Sequence, residues 1–213
     1  MHNSDVQRNE EWHLSRLGIP TASRYKDVMT EPRAKADKEN GVLSQTATSY
    51  ALDILAEKLT GQRKEFTSAA TDWGNYYEPL AIDAYQEYTG NGVLECGFVR
   101  HKTVATGASP DGVIGLDGTI EIKCPYNSAN HLTNKLSGEV PREYEWQVQG
   151  QMWVLGTEWN DFVSFDPRMD IPTGISIVRV YRDEEMIKKL ESKINQFNDR
   201  LNEMYEQLTK VEF

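Results

Sequence analysis

The chain has 213 residues, of which 26% are charged and 38% are hydrophobic, and its formal net charge is −10. This length suits one fairly large domain with a sizeable core, and the composition is ordinary for a soluble globular protein. No apolar run approaches the roughly 20 residues that cross a bilayer, and the polar N-terminal residues argue against a secretion signal. The two cysteines then favour free thiols in a reducing compartment. We therefore expect a cytoplasmic protein without a membrane partner.

The acidic charge bears on the choice of function. A general nucleic-acid binder is usually basic, so a net charge of −10 argues against that class. Residues 65–121 contain nine Asp or Glu and only two Lys or Arg. Such a stretch is most often a solvated face. It can also be a divalent-cation site, where the bound ion inverts the local sign of the charge.

The first half of the chain is predicted to be mainly helical. Residues 31–41 are polar and charged, which indicates an exposed loop. Apolar residues at helical spacing then predict two helices, over residues 46–59 and 72–88. Pro79 lies inside the second pattern and implies either a kink or a late start near Tyr77.

Strands are predicted in the middle of the chain. Two further helices are predicted, one between the fourth and fifth strands and one after the last strand. The β-prone runs cover residues 93–100, 103–107, 113–116, 119–123, 161–165 and 174–181. Asp117-Gly118 is a strong hairpin signal between the third and fourth runs. A helix is predicted over residues 142–155, and the clearest helix of the chain begins after its cap, Asp183.

This order of elements defines the expected architecture. Strands in the middle and helices at both ends favour an α/β or α+β layer fold, in which helices flank a central mixed sheet. We expect a single domain over residues 1–213, with its core over about residues 12–182 and a C-terminal helix over about residues 183–210.

Three residues have the clearest chemical meaning. Asp111 stands in a Ser-Pro-Asp-Gly run, and after eight residues Glu121 and Lys123 follow in a Glu-Ile-Lys run. Residues two apart in a strand face the same side, so Glu121 and Lys123 share a face. A hairpin between the two runs brings Asp111 back near Glu121. Two carboxylates and one ammonium are therefore expected together at one edge of the sheet.

Phosphodiester hydrolysis uses such a set of groups. Carboxylates hold Mg²⁺, which keeps several waters and takes the rest of its shell from substrate phosphate. The ion lowers the pKa of a bound water and stabilises charge on the phosphoryl oxygens. Lys123 can orient or deprotonate the attacking water, and the Ile122 carbonyl is a plausible further ligand. A surface Glu-Lys pair across a hairpin explains the same spacing, so this pattern alone is a weak signal.

Further blocks make the signal specific. Together they resemble the lambda-type phage exonuclease family, which consists of viral recombinase nucleases within the restriction-endonuclease-like superfamily. The matching blocks follow the family's order from residue 12 to residue 169, as Trp12-His13, Arg16-Leu17-Gly18, Thr21-Ala22-Ser23, Trp73-Gly74, Tyr77-Glu78, Ser109-Pro110-Asp111-Gly112, Glu121-Ile122-Lys123-Cys124-Pro125, Gln147-Val148-Gln149, Met152-Trp153-Val154 and Asp166-Pro167-Arg168-Met169. Several unrelated blocks in the right order are more specific than any one motif. The resemblance implies that the single domain is a nuclease with the restriction-endonuclease-like core.

The resemblance also implies roles for individual residues. The catalytic group would be Asp111, Glu121, Lys123 and Gln147. The ligands of Mg²⁺ would be Glu78, Asp111, Glu121 and the carbonyl of Ile122. Two ions are expected in each site, and Mn²⁺ is expected to substitute for Mg²⁺. Without the resemblance, Glu78 is more simply a solvated helix residue, and Gln147 lies on an amphipathic helix face.

A pocket for a 5′-terminal phosphate is also implied. It would contain Arg16, Ser23 and Ser109. The residue types suit this role, because a guanidinium pairs with phosphate through two hydrogen bonds and hydroxyls add neutral donors. Without the resemblance, a surface ion pair is the favoured explanation of Arg16, and a helix N-cap is the favoured explanation of Ser23.

The chain departs from the family pattern at three places. The tail after Asp183 diverges, so its packing is expected to differ. The loop before the Trp-Gly block carries a bulky apolar residue in the family, thought to wedge the duplex open, whereas Thr71 stands there in this chain. Residues 31–41 align with the family only at a Pro-Arg pair. Arg33 of that pair is expected to contact DNA.

The resemblance gives one leading function and leaves two alternatives. The leading function is a double-strand-specific 5′→3′ DNA exonuclease that releases 5′-mononucleotides and leaves 3′ single-stranded tails for phage-type recombination. The family acts on double-stranded DNA ends as a ring-shaped homotrimer, with a single-strand annealing protein as its partner in the bacterial host. A basic channel inside an acidic ring would reconcile DNA binding with the net charge. The alternatives are an endonuclease or single-strand nuclease on the same core, and a non-catalytic DNA-end-binding module.

Overall fold

The computed structural model describes residues 7–63 and 68–210. The helices in this part of the chain are α1 (Glu10–Ser15), α2 (Tyr25–Val28), α3 (Lys35–Glu39), α4 (Gln45–Thr60), α5 (Ala69–Thr89), α6 (Ser128–Ser137), α7 (Arg142–Leu155) and α8 (Glu184–Thr209). The strands are β1 (Val99–Arg100), β2 (Gly107–Ala108), β3 (Gly112–Ile114), β4 (Gly118–Lys123), β5 (Trp159–Phe165) and β6 (Ile175–Tyr181). No helix among the described residues combines the length and the apolar content that crossing a membrane requires.

The main sheet has four strands in the order β3-β4-β5-β6. Strands β4 and β5 run parallel, whereas β3 and β6 are antiparallel to their neighbours. A parallel pair needs a long crossover connection, and α6 and α7 provide it. The expected class, an α/β or α+β fold with a central mixed sheet flanked by helices, is confirmed.

Two apolar clusters stabilise this arrangement. The first lies among α2, α4, α7 and α8, and the contribution of α8 is a stripe of buried residues at helical spacing, Ile187, Leu190, Ile194, Phe197 and Leu201. The second lies between α5 and the sheet, and its fully buried members are Ala81, Tyr85, Ile120 and Val163. Gly150 of α7 lies directly against Tyr25 of α2, where an added Cβ would stand 2.3 Å from the ring. That contact fixes the rotation of α7, so its other face is directed at β4.

Some predicted boundaries are wrong. Residues 31–41 contain the short helix α3, although most of the segment is exposed as expected. Residues 93–100 and 103–107 give only the two-residue strands β1 and β2. The sequence pattern does not predict α6, because this polar helix buries only His131.

The start of α5 also differs from the prediction. A late start near Tyr77 is wrong, because α5 begins at Ala69 and continues through Pro79. The Ser68 side chain caps the helix by accepting a hydrogen bond from the backbone N–H of Thr71 at 3.1 Å. Pro79 removes one helix hydrogen bond. Its exposed position lets the ring face away from the core.

The β3–β4 turn uses a different glycine from the one predicted. Gly115 has φ of +60°, a left-handed conformation that glycine adopts without strain. Gly118 is instead the first residue of β4 and pairs with Ile114. A side chain there would stand 2.3 Å from Trp159, so Gly118 is required for packing rather than for the turn.

Candidate active site

A cavity of about 970 Å³ opens between α5, the end of β4 and the start of α7. Its walls include Ser23, Glu78, Ile122, Lys123, Tyr144 and Gln147. Six residues from four separate parts of the chain therefore meet there, and four of them were predicted to bind metal or to take part in catalysis.

The backbone of β4 holds Asp111 beside this cavity. The Asp111 N–H donates to the Ile120 carbonyl at 3.0 Å, which extends the β3–β4 pairing by one residue. Its Oδ2 accepts a hydrogen bond from the Ile122 N–H at 2.6 Å. The next residue has to be glycine, because a Cβ added at Gly112 would stand 2.4 Å from the side chain of Val93. The hairpin thus brings Asp111 to the strand that carries Glu121.

Glu121 is almost fully buried, with 2% of its surface exposed. Lys123, on the same face of β4 as predicted, forms an ion pair with its Oε1. The side-chain amide of Gln147 donates to the same oxygen at 2.5 Å. The amide of Gln151 donates to Oε2, also at 2.5 Å. Both carboxylate oxygens of Glu121 therefore have donors from within the chain.

Glu78 reaches the cavity from α5. Its Oε2 forms a 2.5 Å ion pair with the guanidinium of Arg8. The segment around Arg8 is held in place by Gln7, whose amide donates to the carbonyls of Cys96 at 2.9 Å and Pro110 at 2.8 Å. An arginine from the N-terminal part of the chain therefore pairs with a carboxylate that lines the cavity.

The pKa shifts report how close these charges are. Removal from water raises the pKa of Asp111 well above its ordinary value, and the carboxylates of Glu121 and Glu78 raise it further. Burial lowers the pKa of Lys123, but the carboxylates of Glu121 and Asp111 outweigh this and raise it. In this arrangement Lys123 is an ammonium.

The donor set suits a hard divalent cation. Within residues 7–63 and 68–210, no three Asp, Glu, His or Cys side chains stand in the arrangement of a formed metal site. However, Glu78, Asp111 and Glu121 influence one another electrostatically, and carboxylate oxygens are the ligands that Mg²⁺ prefers. Their internal partners are Arg8, the Ile122 N–H and Lys123. A cation bound by these carboxylates would neutralise the same negative charges.

Arg16, the central residue of the predicted phosphate pocket, lies just after α1. The guanidinium lies 3.9 Å from the ring centre of Trp12 and 5.7 Å from that of Phe98. Its Nε is buried and has no hydrogen-bond partner. Burial, followed by the positive charge of Arg63, lowers the pKa of Arg16 to about 10. This guanidinium is in an environment where an anion would be favourable.

The two predicted serines are placed differently. Ser109 accepts a hydrogen bond from Trp12 Nε1 at 2.9 Å and donates its only hydroxyl hydrogen to the Gly97 carbonyl at 3.0 Å. Ser23 is exposed, lines the cavity, and has only a 3.4 Å contact with the hydroxyl of Thr21. Ser23 can therefore donate to a ligand, whereas Ser109 positions Trp12 beneath Arg16.

The structure brings together most of the predicted residues. Arg33 lies apart from them, exposed ahead of α3, and like Arg16 and Ser109 it does not line the cavity. Sequence reasoning did not identify Arg8, Tyr144 or Gln151. Gln151 follows Gln147 by four residues, and this helical spacing was the available signal.

Fold and site together define the class of protein, a nuclease with the restriction-endonuclease-like core. Residues 11–159 match the YqaJ-like viral recombinase domain. The chain belongs to the YqaJ-like viral recombinase family, which confirms the resemblance to phage exonucleases, and it is an enzyme of that group.

Solved structures agree with this assignment. The alkaline exonuclease LHK-Exo from Laribacter hongkongensis is 36% identical, with a TM-score of 0.84 over 94% of this chain and 96% of that one. Its complex with dAMP gives the same values, 36% identity and a TM-score of 0.84 over 94% and 96% of the two chains. A phage-related exonuclease from Haemophilus somnus 129PT, 21% identical, shares the fold with a TM-score of 0.73 over 90% of this chain and 96% of that one. No curated protein sequence matches the chain.

Proposed function

We propose that this protein is a Mg²⁺-dependent exonuclease that degrades double-stranded DNA from 5′ ends, releases 5′-mononucleotides and leaves 3′ single-stranded tails. The observation that carries the proposal is the meeting of Asp111, Glu121 and Lys123 beside an open cavity. LHK-Exo, an alkaline exonuclease that is 36% identical, supports exonuclease activity. Its complex with dAMP supports a deoxynucleoside monophosphate as the product.

The carboxylates and one carbonyl are the proposed ligands of Mg²⁺. Asp111, Glu121 and the Ile122 carbonyl would bind one ion, and Glu78 would complete or support a site for two, with Mn²⁺ as a substitute. Bound Mg²⁺ supplies an activated water and neutralises charge on the phosphoryl oxygens. To contribute, Glu78 has to exchange its contact with Arg8 for one with the ion.

Lys123 has the role of a charged donor in this proposal. Before an ion binds, the carboxylates of Glu121 and Asp111 raise its pKa and keep Lys123 charged. Its Nζ lies 5.0 Å from the ring centre of Tyr144, and this aromatic face limits where the ammonium can move. Lys123 therefore orients the attacking water and stabilises the negative charge that develops on the phosphoryl group.

The Arg16 pocket is the proposed site for the 5′-terminal phosphate. Its unpaired Nε–H and the neighbouring Arg63 favour an anion, and Ser23 can add a neutral donor. The charge of Glu121 reaches Arg16, so the pocket lies within electrostatic range of the reacting centre. Anchoring of the end phosphate there would place the first internucleotide bond near Asp111, which explains both the exonuclease mode and the 5′→3′ polarity.

The proposed assembly follows the family. We expect a ring-shaped homotrimer that encloses double-stranded DNA and acts in phage-type recombination with a single-strand annealing protein, in the cytoplasm of a bacterial host. The net charge of −10 is compatible with this if the basic groups line the channel. Arg33 would then contact DNA from outside the cavity.

A digestion series tests the proposal. Linear duplexes labelled at the 5′ or the 3′ end are incubated with the protein and Mg²⁺, next to a covalently closed circle. We expect early release of the 5′ label as a mononucleotide, late release of the 3′ label, and an intact circle. Cleavage of the circle would indicate an endonuclease on the same core. Absence of Mg²⁺-dependent turnover on any DNA would indicate a non-catalytic DNA-end-binding module.

A further inference from the structure

Helix α7 presents two side-chain amides to one carboxylate. Gln147 and Gln151 lie one helical turn apart, and they donate to Oε1 and Oε2 of Glu121, each at 2.5 Å. Gln147 lines the cavity, but Gln151 is completely buried, with 0% of its surface exposed. Gln151 therefore reaches the reacting centre from inside the protein.

A second amide fixes the orientation of Gln151. The Nδ2 group of Asn160, on β5, donates to Gln151 Oε1 at 3.1 Å and to Thr119 Oγ1 at 2.9 Å. This directs the oxygen of Gln151 to Asn160 and its NH₂ group to Glu121. A flipped Gln151 amide would place its oxygen against the carboxylate and its NH₂ group against that of Asn160. Both contacts would be repulsive, so Asn160 enforces one orientation.

This arrangement carries a cost that simple packing would avoid. Asn160 is 0% exposed and its Oδ1 has no hydrogen-bond partner. Burial of an unsatisfied polar atom is unfavourable, and apolar side chains of similar size fill such space without that cost. The fold nevertheless contains the buried amides of Gln151 and Asn160. Their shared effect is to hold the Glu121 carboxylate in one orientation.

We propose that Gln151 and Asn160 are positioning residues of the nuclease site, which set the Glu121 carboxylate so that one oxygen is directed towards the metal. This inference rests on the proposed function. Residues that hydrogen-bond a metal ligand from behind fix its direction, and their loss typically lowers metal affinity or activity by about 10- to 100-fold. Gln151 touches neither substrate nor solvent in this role and acts only through Glu121.

The test compares two buried glutamines of the same helix. Gln151→Met keeps the length and volume of the side chain but removes the amide. Gln149→Met is the matched control, because Gln149 is 4% exposed and bonds only to the backbone, at the Tyr181 carbonyl and the Asp183 N–H, each at 2.9 Å. Measurements are kcat and KM on linear duplex, calorimetric Ca²⁺ binding, and the thermal midpoint.

We expect Gln151→Met to lower kcat or Ca²⁺ affinity by about 10-fold or more with an unchanged KM for DNA. Gln149→Met should lower the thermal midpoint by a similar amount and leave kcat and Ca²⁺ affinity near wild type. If both variants change only the thermal midpoint, Gln151 is structural and the inference is wrong. Should Gln151→Met fail to fold, Gln151→Asn keeps the amide but is too short to reach Glu121, and it carries the same expectation.

A double-mutant cycle tests the link to Asn160. Asn160→Leu should change the same parameters as Gln151→Met in the same direction, but less. The double variant should be no worse than Gln151→Met alone, because both changes act through one hydrogen bond. Additive losses would show that Asn160 does not act through Gln151.

The Ca²⁺ measurement separates this inference from the proposed function. If wild type cuts no DNA but Gln151→Met still weakens Ca²⁺ binding, the exonuclease proposal fails and the positioning role stands. If wild type is an exonuclease and Gln151→Met matches it in kcat and Ca²⁺ affinity, the positioning role fails alone.

Discussion

The carboxylate centre and the Arg16 pocket lie within electrostatic range of each other, yet their charged groups are satisfied in opposite ways. At the carboxylate centre, donors from the chain contact both oxygens of Glu121, and Arg8 pairs with Glu78. In the Arg16 pocket, a buried N–H has no acceptor among residues 7–63 and 68–210. One region therefore has internal partners that an ion can replace, and the other lacks a partner that a ligand can supply.

This difference indicates how each region would meet DNA. The proposed metal ion would have to compete with Arg8 and Lys123 for the carboxylates, so its binding would be an exchange. A terminal phosphate at Arg16 would meet an Nε–H that has no partner among the described residues, so its binding would fill a deficit. Changes at the carboxylate centre should therefore affect cleavage of every substrate. Changes in the Arg16 pocket should affect only ends that carry a phosphate.

The largest effect is expected from loss of a carboxylate. Asp111→Ala or Glu121→Ala removes a proposed metal ligand, and a loss of about 4 kcal/mol in transition-state stabilisation corresponds to roughly 10³-fold in rate. The fold should persist in Asp111→Ala, because removal of this carboxylate relieves repulsion with Glu121 and Glu78. Glu121→Ala should also lower the thermal midpoint, because the buried amide of Gln151 loses its acceptor and Lys123 loses its ion pair. Turnover and the thermal midpoint are measured together. Asp117→Ala, at the exposed turn of the same hairpin, is the control and should remain near wild type. Near-normal turnover in Asp111→Ala would contradict the proposed active site.

The next effect is expected at Lys123. Lys123→Ala should lower kcat by about 10²-fold or more, the range typical of groups that assist proton transfer or charge stabilisation. Metal binding should be retained, because an ammonium is not a ligand. Calorimetric titration of Ca²⁺ into the variant measures this, with the exposed Lys188→Ala as control. A loss of Ca²⁺ binding as large as in Asp111→Ala would contradict the assigned role.

A smaller and selective effect is expected in the Arg16 pocket. A 5′-phosphorylated end should be digested faster than a 5′-hydroxyl end, and Arg16→Ala should remove most of that difference. Hydrogen bonds to charged groups contribute about 1.5–3 kcal/mol, so the loss should be roughly tenfold or more for the phosphorylated end. Arg16→Lys should restore only part of it, because an ammonium lacks the planar fork. Equal slowing of both ends by Arg16→Ala would assign Arg16 to general DNA binding or to structure.

The smallest effects should distinguish the two serines. Ser23→Ala should reduce the preference for a phosphorylated end about fivefold, the equivalent of one neutral hydrogen bond of about 1 kcal/mol, without a change in thermal stability. Ser109→Ala should instead lower stability by about 1 kcal/mol, because Trp12 Nε1 loses its acceptor. Initial rates on paired substrates and urea unfolding measure the two effects. The reverse pattern would place Ser109 at the phosphate and Ser23 in a structural role.

Local sequence patterns predicted the bounds of α7 and the start of α8 well. The helix over residues 142–155 is confirmed residue for residue as α7, and Gly156 ends it in the left-handed conformation, with φ of +76°. Asp183 caps α8 as expected, by accepting from the N–H groups of Glu185 and Met186. These features depend on the residues immediately around them, so the sequence alone contains the information.

Other features depend on contacts between distant parts of the chain. Gly118 has a glycine's typical place in an Asp-Gly turn, but its real constraint is Trp159, which lies 41 residues later. The helical spacing places Gln151 on the same face as Gln147 but does not identify its buried partner, because Glu121 reaches it only through sheet-to-helix packing. The position of Arg8 beside Glu78 is likewise set by the way Gln7 is bound to the Cys96 and Pro110 carbonyls.

The ion pair between Arg8 and Glu78 has a consequence for how the protein can be made. With Lys123 at Glu121, the three acidic side chains of the centre already have two internal cations, and the raised pKa of Asp111 lowers the remaining negative charge further. A small zinc domain cannot fold before its metal arrives, because its ligands have no other partners. Here the newly synthesised chain can fold with its own cations in place. A chelator should therefore stop cleavage while the circular dichroism spectrum stays the same, and Mg²⁺ added later should restore activity without refolding.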